Sequence, residues 1–392
     1  MLAGEELAQK AIQSASECKT VFAKFLSPND TGLTGGHQCG IYIPRSSVSL
    51  IFDGLFERGS NRERYASIIW NGDDDLVTDS RFVYYGQGTR NEYRITRFGR
   101  GFDLLKPDHT GDLVVICKRN EESYEAFVLS DDSAIQLFLD AFSLAPTETN
   151  RLVSTGRDAG QNQEKELFDT FYMEFNGEFP STKIMAITAE KAERVLSGGV
   201  VRQSADEQLV RWIDTEYRLF RHIEERHYEY VTLTPAESLE SFVKTGLEIT
   251  NRRKARAGRS LEHHLAALFT ERGISFTPQA ETELGNTADF VFPSADAYHD
   301  ASFPRERLTF LGAKTTCKDR WRQVLDEADR IPQKFLFTLQ QGVSPNQLLQ
   351  MHAHNLTLVV PKAYHSTYPK MDFRGVISLE DFIAIVLEKQ LS

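Results

Sequence analysis

The sequence predicts a two-domain protein, with a β-rich, barrel-like domain at the N-terminus and an α/β domain with a mixed sheet at the C-terminus. Three observations predict this architecture: short apolar segments recur between turn residues over 21–150, a polar stretch follows at 145–166, and helical and strand-like patterns come after it. The 392 residues are enough for two domains of ordinary size. We therefore predict a first domain at 1–150, a linker at 151–168 and a second domain at 169–392.

The N-terminal elements follow from the spacing of apolar residues. Residues 1–20 carry apolar side chains at roughly helical spacing, which predicts a first helix. Six short apolar runs follow, each bounded by turn residues as the strands of a small barrel are: QCGIYIP, SVSLIF, RYASIIW, RFVYYG, DLVVICK and YEAFVLS. The pattern over 131–142 predicts a short helix that closes this domain.

The C-terminal elements change from helical to strand-like along the chain. Helical patterns occur at 188–198, 207–228, 235–246 and 259–273. Strand-like runs occur at 288–294, 308–314, 334–340 and 356–362, and a helix is predicted at 318–331 between the second and third. Because a helix separates two of the strands while others follow each other directly, the sheet is predicted to be mixed.

Composition indicates a protein of the cytoplasm. Hydrophobic residues make up 41% and charged residues 26% of the chain. We see no apolar run of membrane-spanning length, and the first residues lack an apolar signal core. The four cysteines form no CxxC pair, which argues against a zinc site and favours reduced thiols. We therefore expect a cytoplasmic protein with no membrane partner.

The charge of the chain is uneven. The net charge of -11 argues weakly against a nucleic-acid partner. However, basic residues cluster at 90–101, 251–259 and 314–323. Because a local basic surface is what contacts phosphates, these clusters leave nucleic-acid binding open.

Three residues form a candidate catalytic group. Asp289 lies in an apolar strand, Lys314 ends the next strand, and Glu327 falls in the helix predicted after it. Two converging carboxylates would hold Mg²⁺, and a lysine would orient the attacking water and offset phosphate charge. The spacing alone leaves a structural alternative, in which Asp289 caps a turn, Lys314 extends towards solvent and Glu327 pairs with a nearby arginine on an exposed helix face.

The long sequence motifs that contain these three residues resemble those of a known family. The segments SLEHHLAALF (260–269), ADFVFPSADAYHD (288–300) and KTTCKDRWRQVLDEAD (314–329) closely resemble the catalytic domain of EcoRII-type restriction endonucleases, which has the PD-(D/E)XK nuclease fold. LTLVVPKAYHSTYP (356–369) extends the similarity, and NDTGLTGGHQCGIYIP (29–44) and TRNEYRITRFGRG (89–101) carry it into the N-terminal domain. The resemblance implies a type II, IIE-like restriction endonuclease that depends on Mg²⁺.

The family's active-site residues carry over position by position. Asp289 matches the metal-binding aspartate, Lys314 the catalytic lysine and Glu327 a glutamate displaced onto the next helix. Two residues depart from the family pattern, since Ala288 replaces the usual proline and Gly312 replaces the acidic residue two before the lysine. Further matches to the active-site region are Lys318 and Tyr298, and Glu262 is either an accessory carboxylate or a structural partner.

The segment after Lys314 is predicted to read base sequence. Its candidate residues are Lys318, Asp319, Arg320 and Arg322. Lysine and arginine pair with guanine, and aspartate accepts from cytosine, so the segment suits adjacent C·G pairs. The resemblance implies the target CCWGG; CCNGG, CCGG and a purely structural helix cap at Asp319 remain alternatives.

Members of this family flip the central bases of the target out of the helix, which requires a stacking platform. On the helix predicted at 207–228 the candidates are Arg211, Trp212, Tyr217 and Arg221. An aromatic stripe at helical spacing is more often part of a hydrophobic core, and that alternative stays open.

The N-terminal domain resembles the family's DNA-binding effector domain, a B3-like pseudobarrel. The candidate DNA contacts are His37, Tyr42, Arg90, Asn91, Glu92, Arg94 and Arg97. Alternation along a strand would point Arg90, Glu92 and Arg94 to one face. Gly88 and Tyr93 stand where the family has lysines, so fewer phosphate contacts are expected, and a solvated basic strand is the alternative.

The resemblance implies a bacterial enzyme that binds two copies of its double-stranded DNA target, one in each domain. It also implies a cognate methyltransferase that acts on the same site without binding this protein. Family members are monomers or homodimers, and the sequence does not decide which of these states this protein adopts. It also does not decide whether the N-terminal domain inhibits the catalytic domain or only tethers DNA. A non-cleaving DNA-binding regulator is the alternative function.

Overall fold

The computed structural model describes residues 4–34, 40–72, 74–153, 162–198, 204–234 and 236–391. The N-terminal elements are α1 (Gly4–Glu17), β1 (Thr20–Phe25), β2 (Ile41–Ile43), β3 (Arg62–Trp70), β4 (Leu76–Tyr85), β5 (Glu92–Thr96), β6 (Leu113–Lys118), β7 (Ser123–Leu129), α2 (Asp132–Ala141) and β8 (Arg151–Leu152). The strands form one sheet in the order β2-β5-β4-β3-β7-β6-β1-β8. Only the β3–β7 pair among these is parallel.

The two faces of this sheet bury different cores because alternate side chains of each strand point in opposite directions. Phe22, Ile116 and Tyr124 belong to the core on one face. Val21, Val115 and Phe127 face the other way and pack against α1 and α2. The prediction of a β-rich N-terminal domain is confirmed.

The C-terminal domain carries helices first and the sheet second. Its elements are α3 (Asn162–Glu174), α4 (Thr182–Leu196), α5 (Ala205–His227), α6 (Glu229–Leu233), α7 (Leu239–Glu271), β9 (Thr277–Glu281), β10 (Thr287–Phe292), α8 (Ala295–His299), β11 (Thr309–Lys314), β12 (Lys334–Thr338), α9 (Pro345–Ala353), β13 (Leu356–Val359), β14 (Val376–Ile377) and α10 (Leu379–Leu391). The sheet order is β14-β13-β12-β11-β10-β9. The β9–β10 and β10–β11 pairs are antiparallel and the other pairs are parallel, so the sheet is mixed, as predicted.

Helices cover both faces of the mixed sheet. Helices α5, α7 and α10 pack on one face, where Leu265 and Phe382 meet Phe290 and Phe337. The other face is covered by α8, α9 and the segment that follows β11, with Tyr298, Trp321 and Leu348 in the core. No helix in the described ranges is long and apolar enough to cross a bilayer.

Two predicted helices differ from the structure. The patterns at 235–246 and 259–273 belong to one continuous helix, α7, because the Arg-, Lys- and Ala-rich residues between them are good helix formers. The helix predicted at 318–331 is only a 3₁₀ turn at Arg320–Asp326. The turn ends where Glu327 adopts an extended backbone and Ala328 has a φ of +54°, and the ammonium of Lys334 donates to the carbonyls of both residues. Glu327 therefore lies in an extended segment and not on a helix.

The predicted linker lies between β8 and α3. Arg151 and Leu152 still pair with β1 in the N-terminal sheet. Helix α3 begins at Asn162, and residues 154–161 lie outside the described residues.

Candidate active site

The antiparallel β10–β11 pair brings Asp289 and Lys314 together. The pair register places Phe290 opposite Leu311, so the start of β10 meets the end of β11. Lys314 Nζ lies 2.8 Å from Asp289 Oδ2, and the backbone N–H of Ala313 donates to the same oxygen at 2.8 Å. Asp289 is nearly buried, so this carboxylate is held by a charged partner and a fixed backbone donor.

Glu327 completes a group of carboxylates around Lys314. Burial raises the pKa of Glu327 to about 7; Lys314 opposes this shift, and the charges of Asp289 and Glu262 add to it. One of its carboxylate oxygens, Oε2, is buried and has no hydrogen-bond partner within the described structure. A buried carboxylate oxygen without a donor is costly unless a cation or water meets it.

Glu262 and Gln279 extend this group towards α7 and β9. Gln279 Nε2 donates to Glu262 Oε2 at 2.8 Å and to Asp289 Oδ1 at 3.3 Å. Burial raises the pKa of Glu262, and the charge of Asp289 raises it further. The sequence analysis missed Gln279, since a lone glutamine in a short strand carries no signal of such a role.

The carboxylates could hold a divalent cation. Magnesium prefers oxygen ligands and keeps several waters, so Asp289 and Glu327 are enough protein ligands for one ion. Across the described ranges, no three His, Cys, Asp or Glu side chains converge closely enough to hold a metal by themselves. A Cβ at Gly312 would lie 2.7 Å from Val324 Cγ1. Strand β11 therefore has no room for the acidic side chain that the family pattern puts there.

Tyr298 lies beside the site without a contact to its charged group. Its hydroxyl donates to Glu283 at 2.5 Å and accepts from the backbone N–H of Arg330 at 3.3 Å. Burial and the Glu283 carboxylate raise its pKa. As arranged here, Tyr298 fixes the segment after Glu327.

The N-terminal domain covers the start of the segment predicted to read bases. Lys318 is buried, with its ammonium 2.6 Å from Asp112 Oδ1 and 3.0 Å from the carbonyl of Thr110. The Asp132 carboxylate accepts the backbone N–H groups of residues 318, 319 and 320 at 2.8 to 3.0 Å. Asp319 Oδ1 accepts the backbone N–H of Asp132 at 3.2 Å. Two of the candidate base-reading residues are therefore engaged within the chain.

The remaining residues of that segment differ in exposure. Arg320 and Lys314 line a cavity of about 670 Å³ between α1, α2 and α7. Arg322 lies outside the interface, where its guanidinium stacks on Trp321 at 4.4 Å and donates to Gln350 at 2.8 Å.

None of the α5 candidates stands as an open stacking platform. Trp212 is 1% exposed and belongs to the core beside His264, and Tyr217 is 3% exposed beneath the guanidinium of Arg256. Arg221 forms two hydrogen bonds of 2.7 Å with Glu148 of the N-terminal domain. Exposed Arg211 lies 3.7 Å from Glu193. The aromatic stripe is core, because its side chains face the mixed sheet and α7.

The candidate DNA contacts of the N-terminal domain are partly engaged. Tyr42 on β2 is opposite Arg94 on β5. Arg94 is buried; its guanidinium lies 3.3 Å from Glu92 and donates to the carbonyl of Gly40 at 3.2 Å. In this structure Arg94 therefore ties β5 to the start of β2. His37 lies outside the described residues.

Two arginines among these candidate DNA contacts are exposed, and each stacks on a tyrosine. Arg90 stacks on Tyr85 at 5.3 Å and Arg97 on Tyr65 at 5.1 Å, measured to the ring centroids. Asn91 accepts from the hydroxyl of Tyr84 at 3.0 Å and from Arg45 at 2.9 Å. Arg90 and Arg97 are therefore the exposed cations among the candidate DNA contacts of the N-terminal domain that the structure describes.

Comparisons with known proteins cover nearly the whole chain. The family described as EcoRII C terminal matches residues 220–383, and the family described as restriction endonuclease EcoRII, N-terminal, matches residues 15–152. The type II restriction enzyme EcoRII of Escherichia coli is 36% identical over 397 residues, which cover 95% of each chain.

Two more distant matches cover parts of the chain. The type II restriction enzyme SsoII of Shigella sonnei is 25% identical over 152 residues, covering 36% of this chain and 48% of SsoII. Among solved structures, metal-depleted Ecl18kI in complex with uncleaved, modified DNA matches with a TM-score of 0.43 and 20% identity over 58% of this chain and 84% of that one.

Proposed function

Since the chain belongs to the EcoRII family of type II restriction endonucleases, which are site-specific deoxyribonucleases, we propose that it cleaves double-stranded DNA at CCWGG with Mg²⁺. The observation that carries the proposal is the contact of Lys314 with Asp289 beside the buried, unpaired oxygen of Glu327. Charged side chains buried inside a hydrophobic sheet indicate a functional site, because burial of unpaired charge is costly. In the proposed fold, a PD-(D/E)XK nuclease, these side chains are the reaction centre.

Each side chain has a defined part in the proposed hydrolysis. Asp289 and Glu327 would hold Mg²⁺, and the free Oε2 of Glu327 fits a ligand position. When bound, the metal would lower the pKa of a water and stabilise charge on the scissile phosphate. The ammonium of Lys314 would orient the attacking water and offset phosphate charge. The backbone N–H of Ala313 keeps Asp289 in place throughout.

The two domains would cooperate through the interface described above. We take Lys318, Asp319, Arg320 and Arg322 to read the C·G pairs of the target. In this structure Asp112 and Asp132 of the N-terminal domain hold two of these residues, so cleavage would require the domains to separate. The N-terminal domain, proposed to be B3-like, would bind a second copy of the target with Arg90 and Arg97 and thereby favour the open arrangement.

The proposal is tested by plasmid digestion with Mg²⁺, using DNA with one and with several CCWGG sites and sequencing the ends. We expect discrete cuts at CCWGG and faster cleavage of the multi-site plasmid. Asp289→Asn and Lys314→Ala should lower the rate by about a hundred- to ten-thousandfold while retaining DNA binding. The exposed Asp372 and Lys370 provide matched controls as Asp372→Asn and Lys370→Ala.

Different failures have different meanings. Full cleavage by Asp289→Asn or Lys314→Ala would remove these residues from the reaction. Discrete cuts at CCNGG or CCGG would correct the target but keep the chemistry. Specific binding without any cleavage would identify a DNA-binding regulator instead.

A further inference from the structure

Glu327 is the one of the two proposed metal ligands that lies outside the sheet. Asp289 belongs to β10, which pairs with β9 on one side and β11 on the other. Glu327 instead follows the 3₁₀ turn at Arg320–Asp326 and has an extended backbone that belongs to no strand. Metal ligands must be held closely in place to bind an ion, so the Glu327 backbone needs support from other groups.

Side chains from three other parts of the domain hold the segment that carries Glu327. Each residue from 326 to 330 has a backbone group bonded to one of them. The carbonyl of residue 326 accepts from Asn286 at 2.9 Å, and the carbonyls of residues 327 and 328 accept from Lys334. The N–H of residue 329 donates to Glu283 at 3.1 Å, and that of residue 330 donates to the Tyr298 hydroxyl at 3.3 Å. Of these side chains, Lys334 is the one that bonds to the backbone of Glu327 itself.

Lys334 is an unusual residue for its place in the sheet. It begins β12, an interior strand, opposite Phe310 of β11 and Leu356 of β13. It is 5% exposed, and its ammonium lies 5.2 Å from the centroid of the Phe310 ring. Burial of an ammonium is costly, so a lysine is rare at such a position unless its donors are used. Here the carbonyls of Glu327 and Ala328 accept from it.

The residue after Glu327 has a backbone conformation that needs such a partner. Ala328 is fully buried and has a φ of +54°, a region that residues other than glycine rarely adopt. Backbone of this kind persists only where the surrounding structure holds it. The two carbonyls that Lys334 binds lie on either side of the Ala328 Cα. One ammonium therefore fixes this conformation, and with it the direction in which the Glu327 side chain leaves the segment.

We propose that Lys334 is a positioning residue for metal binding. Its ammonium holds the backbone at Glu327 and Ala328 so that the Glu327 carboxylate meets the ion that Asp289 binds. The buried Oε2 of Glu327, which has no hydrogen-bond partner within the described structure, is the atom that this arrangement presents to the ion. The inference rests on the metal site of the proposed function. Lys334 acts through Glu327 and takes no part in the reaction itself.

Binding of Mn²⁺ to the DNA-free, full-length protein tests this role. Electron paramagnetic resonance reports the concentration of free Mn²⁺ and therefore measures weak as well as tight binding. Lys334→Met removes the ammonium and keeps an unbranched side chain of similar length. It should weaken Mn²⁺ binding by about 10- to 100-fold, the usual effect of removing a group that orients a metal ligand.

The matched control is Lys389→Met. Lys389 lies half-buried on α10, and its ammonium also donates to a backbone carbonyl, that of Leu308, at 3.1 Å. This variant loses the same chemical group from a similar environment, but none of its contacts reaches Glu327. Its Mn²⁺ affinity should equal that of the wild type.

A double-mutant cycle shows whether Lys334 acts through Glu327. Glu327→Gln removes the ligand charge that Lys334 is proposed to position. In the Glu327→Gln background, Lys334→Met should therefore weaken Mn²⁺ binding no further, to within about twofold. Independent effects of the two substitutions would instead multiply. A general loss of stability would weaken binding in both backgrounds, so the cycle distinguishes positioning from a merely structural role.

A second variant covers the case in which Lys334→Met does not fold, because that substitution leaves two buried carbonyls without their donor. Lys334→Gln keeps a donor in the core, which favours folding, but it lacks the charge and the reach of the lysine. It should weaken Mn²⁺ binding in the same direction. Full wild-type affinity in Lys334→Gln would overturn the proposal.

The outcomes separate this inference from the proposed function. Unchanged Mn²⁺ binding in Lys334→Met, multiplied effects in the cycle, or an equal loss in Lys389→Met would each refute the role of Lys334 and leave the metal site intact. A wild type that binds no Mn²⁺ would refute the metal site itself.

Discussion

The substitution Gly111→Ala should force the two domains apart. Gly111 has a φ of +85°, and a Cβ at this position would lie 2.0 Å from the carbonyl oxygen of Gly342 in the C-terminal domain. The atoms it meets belong to the backbone and cannot rotate away. Ordinary contact begins at 3.4 Å, so the domains must separate by about 1.4 Å at this point.

This separation acts on the ion pair next to it. Lys318 Nζ lies 2.6 Å from Asp112 Oδ1, and an added 1.4 Å would bring the two atoms to about 4 Å and out of hydrogen-bond range. Breaking a buried pair costs about 3–5 kcal/mol, which shifts the balance between closed and open arrangements by roughly two to four powers of ten. Lys318 and the rest of the proposed base-reading segment would become accessible.

The assay compares initial cleavage rates of a single-site plasmid with and without an added CCWGG oligonucleotide. Wild type should be stimulated by the oligonucleotide, whereas Gly111→Ala should be fast without it. Gly273→Ala is the control, because Gly273 also has a positive φ of +67° but nothing within 4 Å of its Cβ position. X-ray scattering of the free proteins should report expansion of Gly111→Ala only. A compact Gly111→Ala protein that still needs the oligonucleotide would refute the reasoning.

Three further outcomes are expected. Hydrogen bonding with the Asp132 side chain, followed by burial and the charge of Asp132, raises the pKa of Asp319 to about 6 in the closed arrangement. The closed arrangement should therefore gain stability as the pH falls through about 6 and lose it as the pH rises; scattering that shows no change in compactness would contradict this. Burial lowers the pKa of His264, but Glu190 and Glu216 outweigh it and hold the pKa at about 9 instead of 6.5. The stabilisation of about 3 kcal/mol is then fully present below 6.5 and lost as the pH rises through 9, and urea unfolding of His264→Gln should lose this alkaline transition. Arg97→Ala should lower the salt slope of DNA binding by the full-length protein by about 1, and an unchanged slope and affinity would remove Arg97 from the DNA interface.

The sequence by itself determined the main elements and the pairing at the centre of the site. Apolar runs predicted the strands, and because consecutive strands are usually neighbours in a sheet, Asp289 and Lys314 were expected to come close, as they do. The absence of an acid at Gly312 also predicted that the second carboxylate must come from elsewhere. In the structure Val324 fills that space, and Glu327 brings its carboxylate from outside the strand.

Only the tertiary structure decided which side chains remain available. Trp212 satisfies the spacing of a stacking platform and of a core residue equally well, and its burial depends on elements distant in sequence. The same holds for Lys318, whose partner Asp112 is far away in the chain, and for Arg94, which bonds Gly40. Local patterns specify the type of side chain at each position. Its partner depends on long-range packing and electrostatics, which no local pattern encodes.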